Sequence, residues 1–196
     1  MKKIYFLSVS LFFFLTVGLF AQDQKWSVEA NYPLTVGDEL GNDAPGILDV
    51  GVKYRFLDFN IVKIGAGINA GIFKEETQNY SEPVVDIKET HWLIQPKVFA
   101  EFTIPGIQKL HPSVGLGYTF LQSKYKGIFP GAPDKTSTNL GGVSLNLGLS
   151  YDITKRFFIQ AQYDYTRITD NREFEGQKYK FKQNLGYLKF GVGFRF

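Results

Sequence analysis

The chain has 196 residues, of which 44 % are hydrophobic and 16 % aromatic, with a formal charge of +3 and no cysteine. That length fits one domain, and the missing thiols exclude a disulfide framework, cysteine catalysis and cysteine-ligated metals. No basic run or lysine stripe stands out in the sequence, so nucleic acid is not an expected partner.

Met1-Lys2-Lys3 is a short positive segment, and Ile4 to Phe20 is almost wholly apolar, broken by Ser8, Ser10, Thr16 and Gly18. Polarity returns at Ala21-Gln22-Asp23. The layout predicts a secretory signal peptide over 1–21, removed to leave a mature domain over 22–196. An uncleaved anchor is the alternative, since ~20 apolar residues span a bilayer, but the flanks favour the signal peptide. Without Lys2 and Lys3, 20 basic residues face 19 acidic ones.

From Trp26 onward the chain alternates with a period of two, the mark of strands with unlike faces. Trp26, Val28, Ala30, Tyr32 and Leu34 share one face of the first strand, and Ser27, Glu29 and Asn31 the other. Leu48 to Phe56 alternate with Asp49, Gly51, Lys53 and Arg55. Val62 to Ile72 alternate with Lys63, Gly65, Gly67, Asn69 and Gly71. The fourth strand sets Trp92, Ile94, Pro96, Val98, Ala100 and Phe102 against Gln95, Lys97 and Glu101. Val114 to Phe120, Val143 to Tyr151, Phe157 to Tyr165 and Leu188 to Phe196 complete eight. Long polar connectors are expected near 35–47, 74–91, 122–140 and 167–180, and tight turns near 57–60, 103–109 and 153–155. Val84–His91 is expected to extend strand 4, and an extra hairpin in the second or third connector would raise the count to ten.

Alternation alone does not say which face meets lipid. The polar face is crowded with Gly, Ser, Asn and Gln, which suits the narrow interior of a small barrel. On the apolar face, Tyr32, Trp92, Tyr118, Phe120, Tyr163 and Tyr165 fall toward the long connectors. Tyr54, Phe56, Phe102, Tyr151, Phe157, Phe194 and Phe196 fall toward the short turns. Two aromatic girdles around an aliphatic band are the pattern of a membrane-spanning barrel. The fold class expected is therefore all-β, a closed antiparallel up-and-down transmembrane barrel of about eight strands.

The mature chain resembles the family of small OmpA/OmpX-type outer-membrane β-barrels. The likeness rests on Trp26–Leu34, on Gly51-Val52-Lys53-Tyr54-Arg55-Phe56, and on the closing Gly191-Val192-Gly193-Phe194-Arg195-Phe196. It implies a Gram-negative outer membrane and four outward loops. It also implies that Phe190, Val192, Phe194 and Phe196 are read as an assembly signal by the barrel-assembly machinery. Outer-membrane lipid and lipopolysaccharide are the other expected partners, for a monomer. Pro96 departs from the pattern, because proline inside a closed sheet removes a ladder hydrogen bond or marks a bulge.

Histidine limits any chemistry, with only His91 and His111. His111-Pro112-Ser113 is superficially like the His-x-Ser of outer-membrane lipid A deacylases, but its place at the short-turn end and on the interior face argues against that role. His91 beside Glu89 and Trp92 reads as a loop-base histidine. No catalytic residue, cofactor or metal site is expected. The constellation that stands out is internal: Glu29, Asp49, Glu101, Asp152 and Asp164 share the expected lumen with Lys53, Arg55, Lys63, Lys97, Lys189 and Arg195. Charges so confined must be paired or hydrated. A salt-bridged plug is favoured over a narrow channel, because eight strands leave no porin-width bore. The favoured function is a non-enzymatic barrel with an envelope-structural or surface-interaction role through its outer loops. A small-solute channel is the alternative, and a lipid A-modifying enzyme comes third. Leu145→Arg on the lipid face is expected to be costly, and Asn146→Ser in the lumen to be tolerated.

Overall fold

The computed structural model describes residues 24–36, 46–79, 85–128, 135–174 and 177–196. The expected signal peptide lies outside these residues. Eight strands follow one another: β1 (Trp26–Val36), β2 (Gly46–Asp58), β3 (Val62–Asn79), β4 (Val85–Phe102), β5 (Leu110–Ile128), β6 (Lys135–Asp152), β7 (Phe157–Phe174) and β8 (Gln177–Arg195). Each is antiparallel to the next, and β8 pairs with β1 to close the barrel. Closure satisfies the backbone groups that an open edge would leave bare in hydrocarbon.

The expected faces hold. Val28, Val50, Ile68, Ile94, Leu116, Leu147, Ile159 and Val192 are exposed on the outside, while Glu29, Asp49, Lys97, Asp164 and Lys189 are buried within. The connectors are a correction. Segments 74–91, 122–140 and 167–180, expected as loops, are mostly strand: β3 and β4 stay paired to Asn79↔Val85, β5 and β6 to Lys126↔Lys135, and β7 and β8 to Phe174↔Gln177. A strand needs ~9–11 residues to cross the bilayer. Strands of 18 or 19 residues therefore stand well clear of it. Above the membrane both faces of a hairpin meet water, so alternation fades although the pairing continues. The count is eight among the described residues, and the Val84–His91 extension is present from Val85.

Pro96 makes no bulge. The register of β4 against β5 is the same on either side of it, Ile94↔Phe120 and Lys97↔Gly117, and only the Gln95 and Pro96 rungs are absent. The partner on the other side, Ile68↔Pro96, is kept. Loss of one ladder bond is the cost expected of a missing N–H. The turn after β2 is tight: the Phe59 N–H donates to the Val62 carbonyl at 2.9 Å, and Asn60 takes a left-handed φ of 64°. Asparagine tolerates that region better than most residues.

Candidate functional site: the barrel interior

The lumen is stacked in layers along the strands. Nearest the short turns, Arg55 grips Glu101 with two bonds, Nε to Oε1 at 3.0 Å and Nη2 to Oε2 at 2.8 Å, and reaches Ser27 Oγ at 3.1 Å. Arg195 donates to Asp152 and lies 3.9 Å from Glu101, while Asp152 also holds His111 Nε2 at 2.9 Å. Forked arginine–carboxylate contacts combine charge with fixed geometry. Two inward phenylalanines lie beside this layer. Phe99 has Lys53 and Arg55 each 5.8 Å from its ring centre, and Phe158 has Arg195 at 4.4 Å. Gly65 and Gly193 make room for them, because a Cβ at either position would overlap the Phe99 or Phe158 ring.

The middle layer holds three carboxylates and three ammonium groups. Lys189 Nζ bonds Asp49 at 2.8 Å, Asp164 at 2.7 Å and the Gln95 amide oxygen at 2.8 Å. Lys53 meets Glu29 at 2.7 Å, and Lys97 reaches the Gln162 oxygen at 3.4 Å. Amides fill the remaining valences. Asn69 donates to Glu29 at 2.9 Å and to Asp49 at 2.8 Å, Asn31 donates to Asp49 at 2.9 Å, and Gln162 donates to Glu29 at 3.2 Å. Asn146 donates to Asp164 and, at 3.3 Å, to Gln162. Asn146 thus holds a buried carboxylate that serine is too short to reach in the same way, so Asn146→Ser is expected to carry a cost that the sequence alone does not suggest.

On the outward side of these charges the lumen turns apolar. Phe73, Leu93, Leu121, Ile168, Leu185 and Tyr187 pack into one buried cluster, with Leu140 against it. The Phe73 and Tyr187 ring centres are 5.0 Å apart. The sequence reading missed this layer. Its residues occupy positions of the polar face, and the signal was there as runs that break alternation: Trp92-Leu93-Ile94, Phe120-Leu121 and, lower down, Phe157-Phe158-Ile159.

Ten of the eleven residues expected in the lumen face it in these layers, Asp152 at its rim. Lys63 does not join them. It sits at the short-turn rim, partly exposed, and pairs with exposed Asp58 at 3.6 Å. The register places Lys63 between Asp58, the last residue of β2, and Glu101 of β4, and its ammonium turns to Asp58 while Arg55 takes Glu101.

A family model described as "Outer membrane protein beta-barrel domain" matches residues 7–196. The chain belongs to that family. Among solved structures, Ail, the attachment invasion locus protein of Yersinia pestis, matches with a TM-score of 0.53 at 15 % identity, covering 87 % of this chain and 96 % of that one. OprG from Pseudomonas aeruginosa gives 0.53 at 14 %, with 87 % and 95 % covered. Outer membrane protein W of E. coli gives 0.50 at 19 %, with 88 % and 97 % covered. At such identities the likeness is one of fold. No match was found among curated proteins.

As an outer-membrane barrel, the molecule meets lipid with the outer face described above. Trp92, Tyr118, Phe120 and Tyr165 ring it toward the tall hairpins, and Phe56, Phe102, Tyr151 and Phe157 toward the short turns. Phe190 and Val192 are exposed on β8, and Phe194 and Phe196 partly so. Phe194 meets Phe157 edge to face at 4.9 Å and stacks on Phe196 at 6.3 Å.

The two histidines are held in structural pairings. His111 is bound to Asp152 in the lower layer, and Ser113 makes no hydrogen bond to it among the described residues. His91 Nδ1 lies 2.8 Å from Ser123 Oγ, and Nε2 lies 3.5 Å from Glu89. Ser123, which the sequence reading passed over, thus completes a Ser–His–Glu grouping. His91 and Ser123 are 4 % and 3 % exposed, so a substrate carbonyl has no approach to the hydroxyl. No group of three or more metal-ligating side chains occurs among the described residues.

Proposed function

We propose that this protein is a non-enzymatic, closed outer-membrane barrel. Its fixed lumen serves as a rigid base for the tall β3–β4, β5–β6 and β7–β8 hairpins, which act at the cell surface in envelope structure or surface interaction. The observation that carries the reading is the apolar cluster of Phe73, Leu93, Leu121, Ile168, Leu185 and Tyr187 stacked on the paired charges. An ion entering from the short-turn side would have to break salt bridges and then leave its hydration behind. Both steps are costly. Export by the 1–21 leader belongs to the same reading, as does recognition of the Phe190, Val192, Phe194 and Phe196 face during assembly.

The test is conductance of the refolded full-length protein in a planar bilayer. Silence from protein of confirmed β-content is the expected result. Steady openings that scale with salt would overturn the closed reading in favour of a small-solute channel lined by Lys189, Lys53 and their partners.

A further inference from the structure

Above the apolar layer the inward face of β3–β6 turns polar again. Two residues outward of Leu93, His91 faces the lumen at 4 % exposure, and Ser123 of β5 stands beside it in the register. Two residues further out is Glu89, whose side chain is 26 % exposed at the mouth. The register sets Glu75 of β3 directly opposite Glu89, on the strand face that carries Phe73. Tyr125 and Thr136 continue that rung on β5 and β6. From Phe73 to Thr77, and at the matching positions of β4 to β6, this face has no lysine or arginine. On the opposite wall, β7 places one acid and one base at inward positions beyond Ile168, Asp170 and Arg172.

Two glutamates directly opposite each other on one face destabilise a ladder unless a cation offsets them. The described pair indicates which cation fits. Ser123 Oγ lies 2.8 Å from His91 Nδ1, and Glu89 Oε2 lies 3.5 Å from His91 Nε2. With the Nδ1 proton donated to the serine, the Nε2 lone pair is presented on the side of the carboxylate. Two acceptors at that separation match the bite of a tetrahedral ion, since donors ~2.0–2.2 Å from zinc lie roughly 3.4 Å from each other. We infer that His91, Glu89 and Glu75 form a zinc site at the floor of the mouth, with water as fourth ligand. Ser123 is its positioning residue, holding the imidazole tautomer from outside the coordination shell. The apolar layer beneath lowers the local dielectric, and the exposed side of Glu89 gives the ion its way in. Imidazole beside carboxylates suits zinc, whereas calcium and magnesium take oxygen ligands. The site is the same whichever side of the membrane the hairpins face.

The refolded full chain, free of any histidine tag and stripped with a chelator, is titrated in neutral detergent with zinc sulfate against a chromophoric competitor. One zinc per barrel is expected, and cobalt(II) in its place should give the strong visible bands of a tetrahedral site. His91→Gln should abolish both signals. Ser123→Ala should weaken binding about 10–100-fold, the usual cost of losing a group that orients a metal-bound imidazole, and Glu89→Gln and Glu75→Gln at least as much. His111→Gln, in the lower layer, should bind as the parent does and excludes the other histidine as the source. Circular dichroism confirms that each variant is folded. Absence of saturable binding, or binding that survives His91→Gln, would overturn the site. Unchanged affinity in Glu75→Gln or in Ser123→Ala would overturn the three-donor set or the positioning role. Calcium or magnesium bound as tightly as zinc would show a mouth that is merely acidic, and would overturn the zinc assignment.

Discussion

Lys189 and Tyr187 lie two residues apart on β8, both face the lumen, and both are 1 % exposed. Lys189 is surrounded by Asp49, Asp164 and Gln95, each within 2.8 Å of Nζ. Tyr187 is surrounded by Phe73 and aliphatic side chains, and its hydroxyl has no hydrogen-bond partner among the described residues. One bore is thus filled in two ways. The charged layer is specific, because each donor has a fixed acceptor, and fragile, because removal of one member strands the others. The apolar layer is tolerant of shape but excludes water. Mutations that act on one layer and spare the other separate these contributions.

The largest effect is expected at Lys189→Met, which leaves Asp49 and Asp164 buried around a vacated charge. Loss of ~3–5 kcal/mol is expected, measured by urea unfolding of the refolded barrel in lipid vesicles. Lys189→Met combined with Asp49→Asn and Asp164→Asn should recover much of that loss. If the single and triple variants are equally unstable, the cost is one of packing and not of stranded charge. In the apolar layer, Leu121→Ala should cost ~2–5 kcal/mol through lost contacts and a cavity. Leu93→Ser/Leu121→Ser tests the layer's role directly: the folded double variant should pass ions in a planar bilayer where the parent is silent. A silent double variant would assign the seal to the charged layer instead.

Facing is tested one residue apart on β6. Leu145 is exposed toward lipid and Asn146 buried in the lumen. Leu145→Arg should cost ~2–4 kcal/mol near the bilayer midplane. Asn146→Ser should cost about 1–2 kcal/mol, by weakening a hydrogen bond to the buried Asp164 carboxylate. The two are distinguished by lipid: thinning the bilayer should relieve the arginine variant, which gains access to headgroups, and leave the serine variant unchanged.

The faces, the strand number and the charged lumen were legible because they rest on period-two alternation and on charge, both local in sequence. Lys53, Lys189 and Asp164 stand on the polar face of strands whose other face is plainly apolar. Which charge meets which was not legible: Lys189 and Asp49 are 140 residues apart, and their contact depends on how the register accumulates around the barrel. The heights of the hairpins were misread, since Lys74 to Asn79 alternate nothing and look like loop. The apolar layer was hidden for the opposite reason. Leu93 between Trp92 and Ile94 reads as one more hydrophobic residue in a membrane strand, and only closure of the barrel turns it inward beside Phe73 and Leu121.

The smallest effect tests the boundary between the two layers. The Tyr187 hydroxyl is buried at the top of the charged layer without a partner among the described residues, and an unpaired buried polar group carries a desolvation cost of ~1–3 kcal/mol. Tyr187→Phe keeps the ring and its contact with Phe73 while removing that group. The variant should be as stable as the parent or more stable, by up to about 1 kcal/mol, in the same urea unfolding. A loss of stability would mean that the hydroxyl has a bound partner such as water, and the wet part of the lumen would then reach one layer further outward. Tyr187→Leu, which also removes the ring, should be destabilising in either case. The sign of the phenylalanine change, set against the leucine change, therefore locates where the dry layer begins.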